Sequence, residues 1–271
     1  MITSHRNTLV KRIKRLRQRK YRQQEQAFFV EGPRAFLAAV ETGARVESVV
    51  YCRHFLRSEI CYTTIAALER QGVPCLELSA EVFAAVAERE NPAGIGAIIT
   101  AAHTPLHTLS VQSGSIFVAL VEAADPGNVG AILRTLDAVG GAGLILIGQT
   151  TDPFHPTAVK ASMGSLFTVP LCEVATLAEV LDWARQCGAR VVATSAHAPQ
   201  DYWSAPLTPP LLLLMGSERH GLDPATLAAA DLSVSIPMHG SVTSLNLSIA
   251  TSLLLYEVAR QQRPSPDAND G

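Results

Sequence analysis

The chain lacks several features that would place it in a membrane or outside the cell. No apolar run among its 271 residues is long enough to cross a membrane, and no apolar stretch follows the basic N-terminus as in a secretory signal. Its five cysteines are odd in number, scattered and without a CxxC pair, which favours buried thiols over a disulfide framework. His103 and His107 are separated by Pro105, so they do not share a helix face. We therefore predict a cytoplasmic protein with no membrane span and no metal site.

Acidic residues are missing from the start of the chain. Nine of the 22 lysines and arginines fall within residues 6–22, and the first acidic residue is Glu25. The net charge is only −2 because the rest of the chain carries 24 acidic residues. Leu9, Ile13 and Leu16 recur at helical spacing inside the basic run, which predicts an amphipathic helix with a basic outer face. Such a helix is typical of contact with a polyanion; a solvated chain end is the alternative.

Short apolar stretches alternate with helical patterns through the first half. An apolar piece at 27–33 and strands predicted at 46–51, 74–78 and 95–100 indicate a small α/β/α domain over residues 1–105. The mixed, proline-containing segment 106–114 is predicted to be a linker. The polar, proline-rich tail at 263–271 is predicted to be disordered.

The second half, residues 115–262, predicts a mostly parallel α/β sheet covered on both faces. Its apolar runs end at turn formers, as in strands that are buried on both sides. Strands are predicted at 116–121, 144–147, 167–169, 190–194, 211–215 and 232–236, and a long last helix at 245–260. Polar loops follow the last two strands. Because ligands of such sheets sit at the carboxyl ends of the strands, we predict the functional site there.

Taken singly, the polar motifs of this half are weak. The loop at 125–130 is suited to hold phosphate at a helix N-terminus, but the GxGxxG spacing and the P-loop signature are both missing. Helix capping explains the Gly-Ser-Glu and Ser-Leu-Asn tripeptides, with Ser244 as a plausible cap. Asn128 alone fits a turn, and Arg134 alone fits a solvated helix. Only the order of these motifs along the chain discriminates between functions.

Three motifs in order carry a resemblance to a known family. They are N-x-G-x-x-x-R at 128–134, L-x-x-G-S-E-x-x-G-L at 213–222 and S-I-P-M-x-G-x-V-x-S-L-N-L-S at 235–248. Together they resemble the TrmH/SpoU family of SPOUT-class RNA ribose 2′-O-methyltransferases. The resemblance implies an α/β fold with a C-terminal trefoil knot, a rare exception to unknotted chains. It also implies S-adenosylmethionine (AdoMet) as the cofactor, and a homodimer that uses the last helix.

The resemblance also implies site residues by position. The residues that match the cofactor loops are Thr194, Met215, Gly216, Ile236, Met238, Ser244 and Leu245. The residues that match the catalytic set are Arg134, Asn128, Glu218, Ser244 and Asn246. Arg134 is expected to act on the 2′-hydroxyl, either as a literal base or, since a guanidinium is effectively always protonated, as a stabiliser of the alkoxide. Glu218 is expected to hold Arg134 or the partner chain.

The first half resembles the small, ribosomal-protein-like substrate-binding domain of the same family. FVEGPR at 29–34 and NPAGIGAII at 91–99 carry this resemblance, with Ala93 where many relatives have Gln. It implies RNA contact, with ribosomal RNA favoured and tRNA as the alternative. The residues expected to bind RNA are Lys11, Arg12, Lys14, Arg15, Arg17, Arg19, Lys20, Arg22 and Arg34. Two other functions stay open: a non-catalytic RNA-binding assembly factor, and methylation of a base instead of a ribose.

Overall fold

A computed structural model describes residues 1–88 and 90–263 and divides the chain into two compact units. Unit 1 combines Met1–Ala102 with Asp152–Thr168, and unit 2 combines His103–Thr151 with the chain from Val169 onward. The tail expected at 263–271 lies outside the described residues except for Arg263. In the described part of the chain, no helix has the length and hydropathy to cross a membrane, and no three His, Cys, Asp or Glu side chains are grouped to hold a metal ion.

Helices and strands alternate along both units. The helices are α1 (Thr8–Leu16), α2 (Arg19–Glu25), α3 (Pro33–Glu41), α4 (Glu59–Arg70), α5 (Ala80–Val86), α6 (Pro126–Ala138), α7 (Pro156–Ser162), α8 (Leu177–Cys187), α9 (Pro224–Ala229) and α10 (Leu247–Gln261). The strands are β1 (Ala27–Glu31), β2 (Val46–Tyr51), β3 (Cys75–Glu77), β4 (Ile95–Thr100), β5 (Ile116–Val121), β6 (Gly143–Ile147), β7 (Leu171–Val174), β8 (Arg190–Thr194), β9 (Gln200–Asp201), β10 (Leu211–Met215) and β11 (Leu232–Ser235).

Unit 1 is built on a four-stranded sheet in the order β1-β4-β2-β3. β4 is antiparallel to β1 and β2, and β3 is parallel to β2. Successive side chains of a strand point to opposite faces. Phe29 therefore joins the core cluster that includes residues of α1 and α5, whereas Phe28 contacts the rings of Phe154 and Phe167. Helices and turns thus cover both faces of this sheet.

The basic N-terminal segment forms two helices, not the single helix expected from its spacing. Ile13 and Leu16 of α1 are buried in the core of unit 1. The break after α1 is stabilised by Arg22 of α2, whose Nη1 donates to the carbonyl oxygens of Leu16 at 2.8 Å and Arg17 at 2.7 Å. These carbonyls lie at a helix C-terminus, where intrahelical partners are missing.

Arg22 is therefore a structural residue, and its assignment to an RNA-binding surface is wrong. Its side chain is only 3% exposed, and its Nε and Nη2 both lie 2.7 Å from Oδ2 of Asp152. Asp152 Oδ1 accepts the amide hydrogen of Phe154 at 2.8 Å. Because an isolated charge in the protein interior is strongly unfavourable, this guanidinium depends on its carboxylate partner.

The segment 152–168 is the main departure from the predicted domain boundaries. The sequence placed it in the second domain, but it packs within unit 1. The ring centroids of Phe154 and Phe167 lie 4.6 and 6.1 Å from that of Phe28 on β1. The strand expected at 167–169 is also wrong, because a 3₁₀ turn occupies Ser165–Phe167 and β7 begins two residues beyond that expected strand. Burial of aromatic side chains against a strand that is distant in sequence decides this packing.

Unit 2 is built on a seven-stranded sheet in the order β7-β6-β5-β10-β8-β11-β9, and every pair in it is parallel. This confirms the predicted mostly parallel α/β sheet. Ala119 packs with Val180 of α8, while Leu120, which points to the opposite face, is also fully buried. Burial on both faces explains why the central strands read as unbroken apolar runs. β9, which has only two residues, was not predicted.

We predict that Asp152→Asn destabilises the protein strongly, because it leaves the Arg22 guanidinium buried without a countercharge. The expected loss in free energy of unfolding is about 3–5 kcal/mol. Urea unfolding followed by circular dichroism measures it. The matched control is Asp182→Asn, which removes an exposed carboxylate paired with Arg185 on α8 and should cost at most about 1 kcal/mol. Equal losses in the two variants would contradict a structural role for the buried pair.

Candidate active site

The carboxyl ends of four neighbouring strands bring together the loops that the sequence singled out. β10 lies between β5 and β8, and β11 lies on the far side of β8. The registers set Met215 beside Leu120 and Thr194 beside Val234, so the four strands end at the same edge of the sheet. In parallel α/β sheets this is the edge where ligands bind.

The turn after β10 requires glycine at its first position. A Cβ atom on Gly216 would overlap the backbone of Gly221 and Leu222. The turn is closed by the Gly221 amide, which donates to the Ser217 carbonyl oxygen at 2.9 Å, and Gly221 itself has φ +66°, a conformation that favours glycine. The Gly-Ser-Glu-x-x-Gly motif therefore encodes a tight turn that fixes the direction of the residue after Ser217.

That residue, Glu218, joins this turn to the beginning of α6. Its carboxylate accepts hydrogen bonds from Asn128 Nδ2 at 3.2 Å and from the amides of Ala124 at 3.2 Å and Asp125 at 3.4 Å. Partial burial acts to raise the pKa of Glu218, but hydrogen bonds from its own backbone amide, from Asn128 and from these amides together hold the pKa below its usual value. An ionised carboxylate also suits the positive end of the α6 dipole.

Arg134 lies on the same helix but does not take part in this contact. It follows Asn128 by six residues, or about 9 Å along a helix axis. Its side chain is exposed, and it makes no hydrogen bond or ion pair within residues 1–88 and 90–263. Within this chain, Glu218 thus holds Asn128 and the α6 N-terminus instead of Arg134. All five guanidinium donors of Arg134 remain available to a substrate.

The third motif starts the last helix two residues later than expected. Asn246, not Ser244, is the N-cap of α10, and its Oδ1 accepts from the amide of Ser248 at 2.8 Å and from that of Ile249 at 3.4 Å. Asn is preferred as an N-cap because its side chain satisfies amides that lack an intrahelical partner. Ser244 is exposed in the preceding loop. Asn246 therefore has the capping role that the sequence had assigned to Ser244.

The residues expected to hold AdoMet lie at these strand ends and on these loops, and their exposure differs: Met215 is buried at the end of β10, whereas Ser244 is exposed. Thr194 Oγ1 donates to the carbonyl oxygen of Leu214 at 3.3 Å and links the ends of β8 and β10. Ile236, Met238 and Leu245 are half-buried. Half-buried apolar side chains beside turn backbone suit a ligand that has an apolar ring and several polar groups.

In unit 1, several basic residues expected to bind RNA are held by carboxylates. Arg12 Nε lies 2.7 Å from Glu25, its Nη2 lies 2.6 Å from Glu47, and Arg15 Nη2 lies 2.8 Å from Glu25. Burial acts to raise the pKa of Glu25, but the hydrogen bonds from both arginines outweigh it and lower the pKa. This network fastens α1 to α2 and to β2, so Arg12 and Arg15 have a structural role.

The remaining basic residues differ in their availability. Arg17 Nη2 donates to the carbonyl oxygens of Val86 at 3.0 Å and Ala87 at 2.9 Å, and Arg19 is exposed at the start of α2. Four of the nine expected residues make no side-chain hydrogen bond or ion pair within the described ranges: Lys11, Lys14, Lys20 and Arg34. Of the residues expected to bind RNA, these four keep a charge that is available to a polyanion.

A parallel sheet of this kind, with a glycine turn and an Asn–Glu contact at its carboxyl edge, is typical of α/β proteins that bind a small ligand at that edge. The chain belongs to the SpoU rRNA methylase family, whose model matches residues 115–256. A second model, the MRM3-like substrate binding domain, matches residues 7–97.

The names of similar proteins are consistent with this family assignment. The chain is 32% identical over 241 residues to a 23S rRNA (uridine(2479)-2′-O)-methyltransferase of Streptomyces viridochromogenes, covering 87% of this chain and 83% of the relative. It is similar to the AdoMet-bound rRNA methyltransferase of Sinorhizobium meliloti, with a TM-score of 0.89, 35% identity and coverage of 97% and 98%. The AdoMet complex of AviRb from S. viridochromogenes gives a TM-score of 0.84 at 31% identity, with coverage of 94% and 98%. The chain is an AdoMet-dependent RNA methyltransferase.

We predict that Gly216→Ala damages the site, because the added methyl group has no space against Gly221. The expected cost is about 1–3 kcal/mol in free energy of unfolding and a loss of about tenfold or more in affinity for adenosylhomocysteine. Urea unfolding and calorimetric titration measure the two effects. Gly114→Ala is the matched control, since nothing lies within 4 Å of its added Cβ. If both variants bind the ligand like the wild type, the turn does not have this role.

Proposed function

We propose that the protein transfers the methyl group of AdoMet to a ribose 2′-hydroxyl of ribosomal RNA in the cytoplasm. The observation that carries the proposal is the contact of Glu218 with Asn128 and the α6 N-terminus, at the edge where the strands end, while Arg134 on the same helix stays unpaired within the described chain. The names of the relatives support the target, since they act on 23S rRNA at 2′-oxygens. tRNA is the alternative target.

The cofactor would be held by the loops at the strand ends. The residues assigned to it are Thr194, Met215, Gly216, Ile236, Met238, Ser244 and Leu245. When bound, AdoMet supplies an activated methyl group on its sulfonium. The trefoil knot is part of the same proposal. Strand order supports it, because the chain leaves β8 for the sheet edge at β9 and then returns to the centre as β10.

Arg134 is proposed to stabilise the ribose oxygen as its proton leaves. A guanidinium is effectively always protonated, so this role requires no deprotonated arginine, and the proton passes to phosphate or water. Hydrogen-bond donors that the protein fixes where negative charge develops stabilise the transition state more than the same donors would in water. Asn128 and Glu218 act as positioning residues, because they fix the start of the helix that carries Arg134. Ser244 and Asn246 are proposed to line the site around the ribose hydroxyl.

A homodimer is proposed through the exposed face of α10. Ile249 and Tyr256 are 53% and 59% exposed, and Leu253 is 38% exposed. With Ser248 and Ser252 they line a groove of about 290 Å³. Apolar side chains that are contiguous and exposed typically mark a protein–protein surface. The sequence suggested the helix through its resemblance but not these particular residues.

RNA would be bound by the available cations of unit 1, Lys11, Lys14, Lys20 and Arg34, together with Arg19. Their positive charge favours phosphate contact without sequence preference. Arg12, Arg15 and Arg17 would stabilise the helices that carry these cations and would not contact RNA themselves, because their guanidinium groups already have partners.

We predict that Arg134→Ala lowers kcat for methyl transfer to transcribed 23S rRNA by about 10²–10³, the typical effect of removing a donor to a developing oxyanion. Affinity for adenosylhomocysteine should be unchanged, because this residue is not assigned to the cofactor. Tritium transfer and calorimetric titration measure the two quantities. Arg185→Ala, which removes an exposed arginine of α8, is the matched control and should keep the wild-type rate.

A wild-type rate for Arg134→Ala would remove this residue from the mechanism. Digestion of the product to nucleosides locates the methyl group, and a methylated base would contradict the ribose assignment.

In the methyl-transfer assay, changing Lys11, Lys14 and Lys20 to Gln should raise KM for RNA and leave kcat unchanged. An assembly factor without activity would bind RNA but transfer no methyl group.

We predict that the protein is dimeric and that Ile249→Glu makes it monomeric, since a charge is buried at the expense of its hydration when the α10 faces meet. Light scattering after size exclusion measures the mass. Ile60→Glu on α4 is the matched control, because Ile60 is 57% exposed and belongs to unit 1. A monomeric wild type, or a variant that stays dimeric, would show that α10 is not the interface.

A further inference from the structure

A cleft in unit 1 lies where the FVEGPR motif meets a helix from the second half of the sequence. It has a volume of about 140 Å³ and is bounded by the start of α3, by Glu88 and by one side of α7 with Met163. No role is yet assigned to α7, which lies in the segment 152–168. The cleft therefore combines residues from regions that match two different family models, 7–97 and 115–256.

One wall of the cleft is fixed by a buried carboxylate. Glu31 is 7% exposed, and it accepts the amide hydrogens of Glu88 at 2.6 Å and Ala93 at 3.1 Å. The next amide, of Gly32, donates to the carbonyl oxygen of Ile95 at 2.9 Å. Glu31 thus joins the FVEGPR and NPAGIGAII motifs. Its negative charge is already engaged by two backbone donors, as in other charge-assisted hydrogen bonds.

Two cations line this cleft and have no side-chain partner among the described residues. Arg34 of α3 and Lys160 of α7 both line it and are exposed, and neither makes an ion pair or side-chain hydrogen bond in the part of the chain that the structure describes. Besides Glu31 and Glu88, the rest of the lining is apolar or glycine and includes Pro33, Val159 and Met163. Cations beside an apolar wall suit a ligand with a phosphate and a flat apolar face.

An unpaired RNA nucleotide has this chemistry. Its phosphate is attracted to lysine and arginine, and its base, when it is not stacked in a duplex, offers a face that apolar side chains can cover. In a duplex both faces are already stacked, so a duplex would gain only the phosphate contacts. RNA is favoured over a phosphorylated protein because the cleft lies in the unit matched by the substrate binding domain.

We propose that this cleft binds one unpaired nucleotide of the RNA substrate, with its phosphate at Arg34 and Lys160 and its base against Pro33, Val159 and Met163. The inference rests on the proposed function only in taking RNA as the substrate. It adds Lys160, which the sequence pattern did not reveal because the residue lies outside the basic N-terminal run and comes to the cleft only through the packing of segment 152–168 in unit 1.

Fluorescence anisotropy with the full-length protein tests the proposal. The probes are a short single-stranded RNA of mixed sequence and the same strand annealed to its complement. Arg34→Gln/Lys160→Gln should weaken single-strand binding by about fivefold or more and change duplex binding less. The slope of log affinity against log salt should fall by about 0.7 for each phosphate that the variant no longer neutralises. Both residues are exposed, so the variant should fold normally.

The matched control is Arg57→Gln/Arg70→Gln, which removes two exposed arginines of the same unit that are outside the cleft lining. Equal weakening by the two double variants would show an effect of net charge and overturn the proposal. If the cleft variant weakened binding of the single strand and of the duplex equally, the cleft would not select an unpaired nucleotide. Cross-linking with 4-thiouridine RNA should label peptides that contain residues 31–35 or 156–163, and labelling confined to other peptides would contradict the cleft.

Methyl transfer to 23S rRNA separates this inference from the proposed function. The cleft variant should raise KM for RNA and keep kcat, because its residues do not touch the reacting atoms. If the wild type transfers no methyl group but still cross-links through the cleft, the proposed function fails and the cleft stands. If the cleft variant methylates RNA with wild-type KM, the cleft proposal fails and the proposed function stands.

Discussion

The carboxylate of Glu218 is the contact on which the candidate active site depends. It is held by a turn that only glycine can begin, and it reaches across the sheet edge to Asn128 and to two amides before α6. Two loops separated by 90 positions in sequence meet there. Because these hydrogen bonds outweigh the effect of burial on its pKa, the group stays ionised and faces the positive end of α6. Because Arg134 lies on α6, its position is set by where that helix begins.

Arginine serves three different purposes in this chain. Arg22 is buried and closes the end of α1, Arg12 fastens α1 to two carboxylates, and Arg34 and Arg134 keep their donors free within the described ranges. A guanidinium that already donates to carbonyls and carboxylates has little left for RNA, whereas a free one keeps all five donors. The number of basic residues in the N-terminal run thus overstates the charge that is available to a polyanion, and most of the free charge there is lysine.

The central strands could be predicted well because their environment leaves a simple pattern. β5, β8 and β10 were placed with the bounds that the structure shows, since a strand buried on both faces must be apolar throughout and ends where turn formers begin. Helix ends leave a weaker pattern in the sequence. Ser244 and Asn246 are both good cap residues, and only the direction in which the chain enters α10 selects Asn246. Motif order predicts Asn128 and Glu218 as site residues, but it does not reveal that they contact each other.

The sequence by itself determined the alternation of strands and helices, the parallel sheet of the second half and the family, because these depend on local apolar periodicity and on motifs within short stretches. Only the tertiary structure decided that segment 152–168 joins unit 1, that Arg22 is buried and that Lys160 stands beside Arg34. These facts depend on contacts between residues far apart in sequence, such as Phe28 with Phe154 and Arg22 with Asp152. A buried ion pair or an aromatic contact leaves no periodic signal, since each partner taken alone looks like an ordinary residue of its own segment.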